Sequence, residues 1–158
     1  KGVGVVLLLS GAAMLIGALA GSRDPLQPLA VLRAQASVAT TLPTFDKVGS
    51  IAELDARLQA PDPPVMLDFY ADWCVSCKEM ERFTFSDARV AERMGQMLLL
   101  KADVTANNDA DKALLKRFGL FGPPGIIFFD AAGAERKNLR IIGFQEAEVF
   151  AKALDAAR

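Results

Sequence analysis

Three short apolar runs, Val65–Tyr70 (VMLDFY), residues 97–102 (MLLLKA) and residues 126–130 (IIFFD), are bounded by turn-forming residues and separated by stretches of helical period. Continuous runs of this length suit strands covered on both faces, and strands that alternate with helices imply a layered α/β domain. Ser50, with Glu53 three residues on, is a capping box that opens IAELDARLQA, and Pro61 to Pro64 stop that helix. A second helix is expected from Trp73 or Cys74 to about Arg82, with Ser86 capping a further turn through Met94. Asn107 or Asn108 caps a third, which reaches Phe118 and ends at Gly119. After IIFFD come a small-residue turn through Gly133, the strand LRII (139–142), Gly143 and a last helix from about Glu146 to Ala157. The predicted order is β-α-β-α-β-α-β-β-α. Its strands are expected to be parallel neighbours joined by right-handed crossovers, with helices on both faces and a closing hairpin.

This domain is placed at residues 45–158, and what precedes it has another character. Residues 2–20 are uncharged, and at ~1.5 Å per residue such a helix nearly crosses ~30 Å of hydrocarbon. Residues 1–20 therefore read as a transmembrane helix or its remnant. A signal peptide is the rival, because Ala18-Leu19-Ala20 has the small-x-small form of a cleavage site. Either reading sends the domain to an extracytoplasmic compartment. A chain opening on lysine reads as a piece of a longer protein, and residues 21–44, rich in proline and small residues, read as a linker.

Charge and composition exclude several functions. Residues 1–44 carry three basic and one acidic residue, and residues 45–158 carry 15 basic and 18 acidic, with no basic stripe, which argues against a nucleic-acid partner. The chain has no histidine, so the commonest metal ligand and the commonest general base are both missing. Two cysteines are too few for a disulfide scaffold or, alone, for a zinc site.

Those two cysteines lie in DWCVSCKE, just after a predicted strand and in the first turn of a helix. There the unpaired backbone N–H groups and the helix dipole favour thiolate over thiol. Cys74 is then the exposed nucleophile. Cys77, one turn along and facing inward, resolves the mixed disulfide. An inert bridge is the alternative. Asp68 lies within the apolar strand, six residues before Cys74, where a buried carboxyl has a raised pKa and can take the Cys77 proton directly or through one water. Its alternative is a polar edge or a helix cap. Glu79 either adds negative potential near the sulfurs or is a solvated helix residue, and Trp73 and Tyr70 offer apolar surface to a partner or simply pack. Gly122-Pro123-Pro124-Gly125 precedes IIFFD, and parallel-sheet geometry is expected to bring it close to the cysteine helix. A cis proline there exposes backbone for strand addition by a substrate, whereas a trans one makes a rigid loop.

Taken in order, DFYADWCVSCKEME, FTFSDARV, KADVTANN, the GPP element, IIFFD and IGF resemble the thioredoxin superfamily. Within it they are similar to the C-terminal periplasmic domains of DsbD-type thiol:disulfide interchange proteins, over about residues 45–155. The resemblance implies a thioredoxin fold with a mixed central sheet and a monomeric domain. It also implies electron relay from a membrane-embedded domain of the same protein to an N-terminal periplasmic domain, at the bacterial inner membrane, without metal, flavin or nucleotide. By position it makes Cys74 the attacking and Cys77 the resolving cysteine, Asp68 and Glu79 the acids that tune them, and Pro124 a cis proline facing the pair. A stand-alone anchored reductase of apocytochrome or similar clients, or a binding module with a structural disulfide, remains as an alternative. Two positions depart from the family pattern. Pro123 has no N–H to donate to a docking chain, and Gly125 stands where threonine is common.

Overall fold

The computed structural model describes residues 4–6, 11, 43–59 and 61–158. The chain divides into two units, Lys1–Thr40 and Thr41–Arg158. In the first unit the described residues 4–6 and 11 are helical. No helix among the described residues is long and apolar enough to cross a membrane, and most of the predicted span and the linker to residue 42 lie outside the described residues.

In the second unit the order is β1 (Asp46–Lys47), α1 (Ile51–Arg57), β2 (Val65–Tyr70), α2 (Val75–Glu79) running into a π-helical turn (Met80–Phe85), and α3 (Ala88–Met94). Then follow β3 (Leu98–Asp103), α4 (Asp109–Arg117), β4 (Gly125–Phe129), a 3-10 turn (Lys137–Leu139), β5 (Ile141–Ile142) and α5 (Ala147–Ala157). The sheet order is β1-β3-β2-β4-β5.

The local signals act with some shifts. Ser50 caps α1 by accepting the Glu53 N–H, but the Glu53 carboxylate reaches back to the Gly49 N–H at 2.7 Å rather than to Ser50, and α1 stops at Arg57. Asp87, not Ser86, caps α3, because the Ser86 hydroxyl donates to the Arg82 carbonyl at 2.6 Å. A full capping box, Asn108 with Asp111, opens α4, and Gly119 follows it at φ 65°. Leu139 belongs to the 3-10 turn, so the last strand is shorter than LRII.

One expectation about the sheet is wrong. β2 and β1 flank β3 in parallel, but β4 runs antiparallel to β2 with Phe69 opposite Gly125. The chain leaves α4 at Phe118 and reaches Gly125 within a short loop whose Leu120 packs on Gly125, so β4 begins where β2 ends. The Gly122–Gly125 element therefore reaches the cysteine end of the sheet through antiparallel pairing. In a parallel pair it would lie at the other end.

Alternation along β2 divides the core. Val65, Leu67 and Phe69 face a cluster with Leu54 of α1 and Leu114 of α4, while Met66 faces Met80, Phe85, Val90 and Phe150 on the other side. Burying roughly 25 cal/mol of apolar free energy per Å² on both faces makes these strands the rigid base from which the loops at one end project.

Candidate active site

Cys74 is the N-cap of α2, and its extended backbone (φ −84°, ψ 102°) points its sulfur back over the helix start. The Cys77 N–H donates to Cys74 Sγ at 3.1 Å, and the two sulfurs are joined in a disulfide with the Cα atoms 5.3 Å apart. A sulfur that already accepts a backbone N–H is the one whose thiolate that N–H would stabilise once the bridge opens. Cys74 is only 6% exposed and Cys77 3%, which corrects the expectation of an exposed nucleophile. In the closed bridge the Cys74 sulfur turns toward Cys77, and both cysteines join the cluster that contains Phe69 and Ala71.

Asp68 is buried on the Met66 side of β2, the side covered by the continuation of α2. Across the sheet its register partners are Lys101 on β3 and apolar Ile126 on β4. Burial pushes its carboxyl up to about 7, with the Lys101 charge pulling it down and the Glu81 charge pushing it further up. Such a group changes protonation state under the conditions in which a thiol must lose its proton.

Sequence reasoning missed Lys101 and Glu81. They form an ion pair at 2.7 Å, and the Lys101 ammonium also lies over the rings of Phe45 and Tyr70, at 4.8 and 4.5 Å. Glu81 falls four residues, one helical turn, after Cys77, which was the available signal. Lys101 carries no local signal, since only the register of β3 against β2 sets it opposite Asp68. Glu79, singled out from sequence, is exposed at the end of α2, and its side chain makes no hydrogen bond or ion pair among the described residues.

Tyr70 is half-buried, with its hydroxyl donating to Asp72 Oδ1 at 3.1 Å, and burial and that bond push its phenol up to about 12. Trp73 is 59% exposed, and its indole N–H donates to the Thr105 carbonyl at 3.3 Å. The Asp72 N–H donates to Thr105 Oγ1 at 2.9 Å, so the turn ahead of Cys74 is tied to the end of β3 from two sides. Pro123 and Pro124 are half-buried, and the bond between them is cis, as the family resemblance implies. A second cis bond, Asp62–Pro63, lies at the opposite end of β2 and was not foreseen. The Pro124 carbonyl accepts the Gly143 N–H at 3.0 Å, so it is already engaged within the domain. Exposed Phe121 and Ile142 stand at the same end of the sheet as Trp73, Phe121 in the loop before β4 and Ile142 opposite Gly125.

A mixed five-stranded sheet with helices on both faces, and a Cys-x-x-Cys bridge in the first turn of the helix that follows a central strand, define a thioredoxin-like dithiol/disulfide domain. The family model for the thioredoxin-like domain matches residues 53–158. The crystal structure of the oxidised C-terminal domain of DsbD from Neisseria meningitidis superposes with a TM-score of 0.60 at 38% identity, covering 72% of this chain and 100% of that one. The thiol:disulfide interchange protein DsbD of Ralstonia nicotianae is 55% identical over 99% of this chain. The chain spans 27% of that relative's length. A thioredoxin from Thermus thermophilus, at 24% identity and a TM-score of 0.57 over 72% of this chain and 87% of its own, shares the fold. The chain belongs to the thioredoxin-like family and, within it, to the C-terminal domains of the DsbD type.

Proposed function

We propose that residues 45–158 form a periplasmic module of an inner-membrane protein that carries two electrons at a time. It takes them from a membrane-embedded domain of the same protein and gives them to a disulfide on another periplasmic domain. The observation that carries this reading is the closed Cys74–Cys77 bridge at the start of α2, with Cys74 Sγ accepting the Cys77 N–H. The name of the relatives, thiol:disulfide interchange protein, agrees with it, and their greater length leaves room for the other domains.

In the forward reaction the Cys74 thiolate attacks one sulfur of the partner disulfide, and the partner's other sulfur leaves as a thiolate that takes up a proton. Cys77 then loses its proton and attacks the Cys74 sulfur. The second partner thiol is released and the Cys74–Cys77 bond closes. The partner gains two electrons and two protons, and the domain is oxidised by the same amount. Asp68 is the group suited to hold the Cys77 proton in transit, and we assign its tuning to Glu81 and Lys101, which act on it directly, rather than to solvated Glu79. Trp73 with Phe121, Pro123 and Pro124 forms the surface that a partner meets. Tyr70 supports it from beneath by holding Asp72. The exchange itself calls on no metal, flavin or nucleotide.

A Cys77→Ser substitution tests the reading, because Cys74 can then attack but not release. Accumulation of a dithiothreitol-sensitive complex with one dominant partner is the expected result. Absence of any trapped species would leave a binding module with a structural bridge. Cysteines within membrane-spanning segments of the full-length protein are expected for the relay and not for a stand-alone reductase.

A further inference from the structure

Both backbone polar groups of Gln145 are held by side chains of the helix that carries the cysteines. Its N–H donates to Met80 Sδ at 3.2 Å, and its carbonyl accepts the Thr84 hydroxyl at 2.5 Å. Two residues earlier, the Gly143 N–H donates to the Pro124 carbonyl at 3.0 Å. The short segment 143–145 therefore links the cysteine-bearing helix to the Pro123–Pro124 loop, with a hydrogen-bonded anchor at each end.

Met80 and Thr84 are buried in the π-helical turn, whose wider register turns Met80, Thr84 and Phe85 inward together. Gly143 sits at φ 85°, a conformation that side-chain-bearing residues rarely adopt, with open space around it. The β4–β5 ladder, with Ile142 opposite Gly125, holds the Pro124 end of the link, and beyond Ile142 the two Gln145 bonds tie the segment to the cysteine helix before α5 starts at Ala147. A buried hydroxyl needs a partner, and the one that Thr84 has is the Gln145 carbonyl.

We propose that Thr84 is a positioning residue for partner selection. Acting through Gln145, it sets the spacing between the cysteine helix and the Pro123–Pro124 loop, the two walls between which a partner's disulfide-bearing segment must enter. This inference rests on the exchange reading above. A small disulfide reaches Cys74 without touching the loop, whereas an extended peptide meets both walls. Loosening the tie therefore leaves the first reaction alone and slows the second.

The test uses the full chain, reduced, with two chromogenic probes: the symmetric small disulfide of nitrothiobenzoate, and an extended peptide whose single cysteine is disulfide-linked to nitrothiobenzoate. On the peptide probe the Cys74 thiolate attacks the peptide sulfur, the bond to nitrothiobenzoate breaks and the coloured thiolate leaves. Cys77 then attacks Cys74 Sγ, closing the bridge, and the peptide thiolate departs and takes up the proton that Cys77 loses. For Thr84→Val the expected result is a single-turnover rate on the small probe within about 2-fold of the unsubstituted protein, and a loss of about 10-fold on the peptide, carried by a raised half-saturating peptide concentration at a nearly constant limiting rate. Thr84→Ser, which keeps the hydroxyl, restores the peptide rate. Gly143→Ala and Met80→Leu, which disturb the other contacts of the same segment, give the same selective loss and carry the test should Thr84→Val fail to fold. Equal losses on both probes, or no loss on either, in folded variants overturn the role of Thr84. Failure of the unsubstituted protein to react with even the small probe removes the exchange reading, and the inference falls with it.

Discussion

A carboxyl in the middle of β2 destabilises the domain whenever it ionises. Burial raises Asp68 from 3.8 to about 7. The folded state therefore holds a proton that the unfolded chain releases, and the stabilisation this brings is complete below about pH 4 and is lost as pH rises through about 7. At about 1.4 kcal/mol per unit the whole window is worth on the order of 4 kcal/mol. Asp68→Asn should accordingly raise the urea midpoint at pH 8 and leave it nearly unchanged at pH 4, and equal midpoints at pH 8 would show that the carboxyl is not held this way. On the role proposed for Asp68, the same substitution also removes the proton acceptor, so the more stable variant should be the slower one at resolving a mixed disulfide. Glu81→Gln takes away the charge that pushes Asp68 up and leaves Lys101, so the Asp68 midpoint, followed by carboxyl carbon-13 shift, should fall. Glu79→Gln should leave it in place, and a fall in that variant instead would return the tuning role to Glu79. Cys74, Cys77 and Asp68 were legible in the sequence because they belong to one strand-turn-helix unit read in order. Glu81 left a local signal that was passed over, one turn after Cys77, whereas Lys101 left none because it depends on pairing between distant strands.

The elements show a similar boundary between local and distant information. β2, β3 and β4 lie within one residue of their expected limits, because continuous apolar runs between breakers leave little freedom. The cap of α3 shifted by one residue because the Ser86 hydroxyl donates back to the Arg82 carbonyl, which leaves Asp87 to accept the Arg89 N–H. The direction of β4 was not legible, since its own residues read the same in either sense and the loop from α4 decides it. The turn after β4 shows how closely such connections are built. Gly133 has φ 78°, and a Cβ there would stand 2.0 Å from the Leu58 carbonyl oxygen at the end of α1. Gly133→Ala should destabilise the domain by about 3 kcal/mol or more, since both backbone segments must move. A loss under about 1 kcal/mol in chemical denaturation would mean that the turn rearranges freely.

At the scale of the whole molecule, both faces of the sheet are filled by helices, so the chemistry is confined to one end, where β2 stops, β4 starts and the cysteine turn projects. The cysteines exchange electrons with a partner there only if their bridge is poised for it. Equilibrated against thiol buffers and read by alkylation, the Cys74–Cys77 pair should have a reduction potential of roughly −200 to −270 mV, and a value below about −300 mV would mark a structural bridge. The layout at that end has a further consequence. The indole of Trp73, the chain's single tryptophan, adjoins Cys74 and is more than half exposed. Its fluorescence therefore comes entirely from the rim of the reactive turn, quenched differently by a bridge and by two thiols, and changed again when another surface covers it. The domain carries an intrinsic optical reporter, so opening of the bridge and arrival of a partner can be followed in a stopped-flow cell as two separate signals, with no dye attached.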